Sequence, residues 1–257
     1  MPSRPAVAPG DRIRWLERSD DDFPFYRGAP VAIRPSGWLV LLAAVALAFA
    51  ALQPLQRAFP TGPAGFLPAI VFVGLPLAAL AWAAGRGWTA IFRRPRARDL
   101  LLIVAAFLLT YAVTIAVGLV ALSLFEAEPN PAADLLSSFD ATQRTFFFLR
   151  SALQLFGEEL FTILPFLALL WGLTRAGLSR RPAIGLAALA VSVMFALAHL
   201  PTYQWNYGQA LVGLVPIRLV LLAPYLMTKN ILVSTGAHIL TDFATFALPL
   251  LAGEPAT

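Results

Sequence analysis

The chain has no cysteine, a single lysine and only two histidines, and charged residues make up 13% of its 257 positions. Each scarcity excludes something. Without cysteine there is no disulfide framework, no thiolate metal site and no cysteine nucleophile, so any chemistry rests on carboxylate, imidazole or hydroxyl groups. With so few charges against 59% hydrophobic residues and a mean hydropathy of +0.74, the chain lacks the polar surface that a water-soluble domain needs. It also lacks a glycine-rich phosphate loop, an internal repeat and any nucleic-acid motif. The net charge of +5 comes from arginines set between apolar runs, so no nucleic-acid partner is expected.

What the chain does have is seven apolar runs, at roughly 37–56, 64–84, 100–125, 146–174, 182–199, 209–227 and 230–252. Each reaches or approaches the roughly 20 residues that a helix needs to cross about 30 Å of hydrocarbon, and none alternates as a barrel strand would. The expected fold is an all-α polytopic membrane bundle of seven helices, or eight if a half-helix lies near Leu135 to Phe148. Basic residues alternate between the loops: six arginines precede residue 37, five lie in 85–99, three in 174–182, and Lys229 stands before the last run. The intervening loops are poor in them, which places the N-terminus in the cytoplasm and the C-terminus outside. Residues 1–36, with the acidic run Asp20 to Asp22 and the aromatic patch Phe23 to Tyr26, read as a solvated, partly disordered juxtamembrane arm. The first apolar run lies too far in for a cleaved signal peptide, so the arm is expected to stay with the mature protein.

Inside these runs sit polar groups that hydrocarbon disfavours. An ionised side chain there costs about 3 kcal/mol or more, so such residues usually line a cavity, find a partner or do chemistry. Glu158 and Glu159 stand in the fourth run, His199 ends the fifth, Arg218 lies midway along the sixth, and His238 and Asp242 lie in the seventh. Glu158 is 17 residues from Arg175, and His199 is 17 residues beyond Pro182 on the next, antiparallel run. At about 1.5 Å per residue both lie about 25 Å from the cytoplasmic end, in the outer half of the membrane. His238 and Asp242, counted from Lys229, fall within one or two turns of that level. Spacing of four stacks Phe195 with His199 and His238 with Asp242, whereas the adjacent glutamates point about 100° apart, one reactive and one supporting.

The order of Glu158 and Glu159, then Phe195 with His199, then His238 with Asp242, resembles the CPBP family of intramembrane proteases. That family includes the type II CAAX prenyl proteases and the bacterial Abi-type proteins linked to bacteriocin self-immunity. The resemblance covers about residues 143–252, implying a catalytic helical core there, behind N-terminal spans in 37–142 and ahead of a short tail, 253–257. It implies that Glu158 activates water together with His199, while His238 and the residue at position 242 support the oxyanion. It also implies a peptide or membrane-protein substrate in the bilayer, and a bacterial inner-membrane location.

Two positions depart from the family pattern. The arginine usual four residues after the second glutamate is replaced by Ile163, and Asp242 stands where many members carry asparagine. Arg218 is the leading substitute cation, expected to pair bidentately with Glu159 or Glu158, with Arg150 second. An ionised Asp242 cannot donate to an oxyanion, but it can orient His238 or ligate a metal. No cofactor is firmly implied. A metal-free mechanism has Glu158 as general base; a zinc version would use His199, His238 and Glu158 as ligands. Outside enzymology, the same residues suit a non-catalytic immunity or scaffold factor, or a small proton-coupled transporter, though the chain lacks the repeated halves common in transporters.

Overall fold

The structure, a computed structural model, describes residues 11–17, 22–124 and 132–252. Asp20, Asp21 and the tail 253–257 lie outside the described residues. Every regular element within them is helical: α1 (Pro35–Ala58), α2 (Leu67–Ala84), α3 (Ala97–Leu124), α4 (Ala132–Ser137), α5 (Ala141–Arg175), α6 (Arg180–Ala198), α7 (Tyr207–Gln209), α8 (Val215–Thr228) and α9 (Ile231–Ala252). Seven helical stretches are long and apolar enough to cross a membrane. The extra half-helix near Leu135 is α4, six residues long and too short to span.

α5 is the axis of the bundle, packed against α1, α2, α6 and α9. Its start is set by Asp140, whose side chain accepts from the Gln143 amide while Gln143 returns a bond to the Asp140 amide, a capping box that satisfies two orphan donors. Its end is set by Gly177 at φ +96°, where the Gly177 and Leu178 amides bond back to Thr174 and Leu173. Between them Leu160, Ile163, Leu164, Phe166, Leu167 and Leu170 are fully buried. α6 stops at His199 because Pro201 follows, and residues ahead of a proline leave helical geometry.

The helices alternate in direction, so α1, α3, α6 and α9 start at one end of the bundle, where α2, α5 and α8 finish. The N-terminal arm docks at this end. The solvated arm expected from composition is corrected here: Phe23, Phe25, Tyr26 and Ile33 are 1–5% exposed and belong to the main core. Phe23 packs on Phe166 and Tyr225, with ring centroids 5.4 and 6.1 Å away. Charge anchors it as well. Arg180 donates to both Glu17 oxygens at 2.8 and 2.6 Å and to Asp22 at 2.8 Å, and Lys229 Nζ donates to Glu17 at 2.8 Å. Both cations also lie over the Phe23 ring, at 5.3 and 4.9 Å.

Arg180 and Lys229, counted in the sequence as loop charges, are thus buried and paired. Burial lowers the Lys229 ammonium below its usual range, and Glu17 opposes part of that shift. The turn carrying Lys229 and Asn230 is recessed beneath the arm and stitched to the α2–α3 loop, where Asn230 exchanges bonds with the Arg93 backbone at 3.2 and 3.3 Å. At the far end, Gln56 donates to Gln154 at 2.9 Å and Arg150 to the Pro60 carbonyl at 2.9 Å.

Candidate active site

Four helices, α5, α6, α8 and α9, bring the polar residues together in the bundle interior. The adjacent glutamates have separate surroundings, as their rotation about the helix requires. Glu159 is fully buried, while the Glu158 side chain keeps 14% exposure. Arg218 Nη2 lies 2.7 Å from Glu159 Oε1, and His238 Nδ1 lies 3.0 Å from the same oxygen. Arg218 is completely buried, with its guanidinium 4.9 Å above the Phe195 ring.

The Arg218 contact is an ion pair by distance and differs from the expected bidentate one. Its nitrogens make no directed hydrogen bond among the described residues, so Nη2 approaches Oε1 off the line of its N–H bonds. Charge and the arene beneath hold the guanidinium instead. Position 163 cannot share this role, because Ile163 points into the aliphatic core with no exposure. Arg150 is turned away to the Pro60 carbonyl.

Glu158 is held more lightly. Its Oε1 accepts from Gln154 Nε2 at 3.1 Å, and Gln154 in turn accepts from Gln56 of α1. Its Oε2 faces His238 Nε2 at 3.9 Å, and Asp242 Oδ1 stands 3.8 Å from that same nitrogen, both beyond hydrogen-bond length. His238 Nδ1 donates to Glu159, which directs Nε2 between the other two carboxylates. Lys229 is fully buried beneath the arm, and nine residues on His238 meets the glutamates directly.

His199 is expected at the depth of Glu158, activating water together with it; among the described residues no hydrogen bond or ion pair joins the two directly. Standing at the end of α6, the His199 ring turns back along its own helix, Nδ1 donating to the Phe195 carbonyl at 2.8 Å. A carbonyl only accepts, so the neutral ring carries its proton on Nδ1 and leaves the Nε2 lone pair available. His199 stacks on Phe195 with centroids 4.4 Å apart, and Phe195 lies 6.3 Å from His238. Phe195 is thus the common floor of both imidazoles and of Arg218.

Two neighbours escaped the sequence reading. Gln154, one turn before Glu158, carries its hydrogen bond, and the spacing of four was the available signal. Tyr203, four residues after His199, is pushed above its usual range by burial first and by the negative charge of Asp242 second. Glu158, His199 and His238 are not gathered as a ligand set: among the described residues no group of three His, Asp and Glu side chains is placed to hold a metal ion.

Residues 141–244 match the family model described as Type II CAAX prenyl endopeptidase Rce1-like. Comparisons with curated proteins and with solved structures find no match. The matched segment contains Glu158, Glu159, Phe195, His199, Arg218, His238 and Asp242, so over these C-terminal spans the chain is similar to the type II CAAX prenyl endopeptidases, in keeping with the CPBP resemblance of its motifs.

Proposed function

We propose that the chain is an intramembrane endopeptidase of a bacterial inner membrane, hydrolysing a peptide bond of a membrane-associated or prenylated protein or peptide, with Glu158 as the base. The observation that supports this most is the unequal treatment of two adjacent carboxylates. Glu159 is sealed and neutralised by Arg218, whereas Glu158 is partly exposed and its side chain, among the described residues, is hydrogen-bonded by the neutral amide of Gln154. A base must reach water; a support need not.

In this reading Glu158 takes a proton from the attacking water while Oε1 is steadied by Gln154. The Nε2 lone pair of His199, oriented through its Nδ1 bond, is the second proton acceptor, and the imidazolium so formed protonates the leaving amine. His238, once protonated, donates through Nε2 toward the developing oxyanion, its ring fixed by Glu159. Asp242 orients His238 in place of donating. The reaction is assigned to residues 143–252 as catalytic core, with residues 1–36 cytoplasmic.

The test compares membrane proteins and their new N-termini in cells carrying the parent chain and cells carrying Glu158→Ala at equal abundance. At least one membrane-associated protein is expected to accumulate uncleaved in the variant. Identical cleavage products at equal rates would overturn the assignment.

A further inference from the structure

We infer that the site opens at the end of the bundle opposite the N-terminal arm, so that the polypeptide it cleaves is presented on the membrane face away from the arm. The inference rests on the reading of Glu158 and its neighbours as the site, and it narrows the substrate class.

The arm end is closed by two layers. The outer one is the ion cluster, in which the side chains of Glu17, Arg180 and Lys229 have 0–1% exposure. Beneath it lies Phe23 against Phe166 and Tyr225, both fully buried. Phe166 is seven residues beyond Glu159 on α5, or about 10 Å along the helix, and Thr162 and Ile163 between them are also fully buried. Peptide reaching Glu158 from this end would have to break a cluster of desolvated, mutually paired charges.

The opposite direction is open. The side chains of Glu158 and Asp242 keep 14% and 28% exposure, the highest among the site's carboxylates. Beyond them the chain turns through left-handed Gln204 and Trp205, and Trp205 and Tyr207 are 61% and 55% exposed at the rim. Exposed aromatics at this end of the bundle suit an extended peptide segment held at the membrane interface. The arm residues that close the other end lie outside the segment matched by the family model, so this closure is an addition to the family core.

The basic residues gather at the arm end, which makes it the cytoplasmic one. The substrate is then a polypeptide segment anchored in, or lying on, the non-cytoplasmic leaflet. A C-terminus lipidated in the cytoplasm would be offered to the sealed end.

The native absence of cysteine makes the test direct. Single cysteines are placed by Asp242→Cys and Tyr203→Cys at the site, and by Leu178→Cys in the exposed α5–α6 turn at the arm end. Each full-length chain, in sealed right-side-out and in inverted vesicles, is treated with a membrane-impermeant maleimide. The site cysteines should react at least tenfold faster from one face, and Leu178→Cys from the other. Reaction of the site cysteines from the face that labels Leu178→Cys, or from neither face, overturns the inference. Tyr203→Cys removes no charge and lies between spans, so the test survives a folding failure of Asp242→Cys. Labelling requires no proteolysis, and its outcome is independent of whether Glu158→Ala abolishes cleavage.

Discussion

Arg218 and His238, from different helices, converge on a single oxygen of Glu159, at 2.7 and 3.0 Å. The carboxylate is thereby fixed between a permanent cation and the imidazole that faces Glu158. Removing the cation leaves a fully buried charge with the His238 hydrogen bond but without its permanent counter-charge. Arg218→Leu is expected to cost about 3–5 kcal/mol of stability. Adding Glu159→Gln should recover much of that loss, because the uncompensated charge disappears. Detergent-phase unfolding of the two single variants and the double variant measures the coupling. Parental stability of Arg218→Leu would mean that the contact contributes nothing.

Gly157 precedes the glutamates because α2 leaves no space for a side chain. A Cβ there would run into Phe72 Cδ1, and Phe72 is itself 1% exposed. Gly157→Ala should destabilise the bundle by about 1–3 kcal/mol through overpacking. Gly157→Ala combined with Phe72→Leu should lose less than either effect summed, and simple additivity would contradict the contact.

Glu17 gives the fold an acid-sensitive clasp. Burial alone would raise its carboxyl, but hydrogen bonds from Arg180 and Lys229 outweigh this and hold it at about 2, against an ordinary 4.5. A value depressed by folding stabilises the protein above the unfolded value and is lost as pH falls from about 4.5 toward 2. The melting temperature should therefore be level near neutrality and decline across that window. Glu17→Gln should melt lower near neutrality and show a shallower acid decline. An unchanged profile would show that the clasp carries no stability.

The spans were legible because continuous apolar runs of helix length have one physical solution in a bilayer. The first run, read as 37–56, is Pro35–Ala58, and the fourth, read as 146–174, is Ala141–Arg175, longer because its polar first turn is capped by Asp140. The pairing of Arg218 with the glutamates could be reached from depth and charge alone. The arm could not, since Glu17 meets Arg180 across 163 residues and Lys229 across 212. Composition reports such acidic and aromatic segments as solvated unless the partner cations are known to be recessed. For His199, counting residues set depth but not the direction of the ring, and the decisive signal was Pro201, which ends the helix there.

The central claim is that Glu158 activates the attacking water while Glu159 and Arg218 support it. The most direct measurement reconstitutes the parent, Glu158→Ala and His199→Ala in vesicles with a membrane protein found to accumulate uncleaved in Glu158→Ala cells, and follows product formation. Both variants should insert and melt close to the parent, since neither side chain fills the aliphatic core, yet cleave at least about 100-fold more slowly. Cleavage by Glu158→Ala at the parental rate would contradict the account.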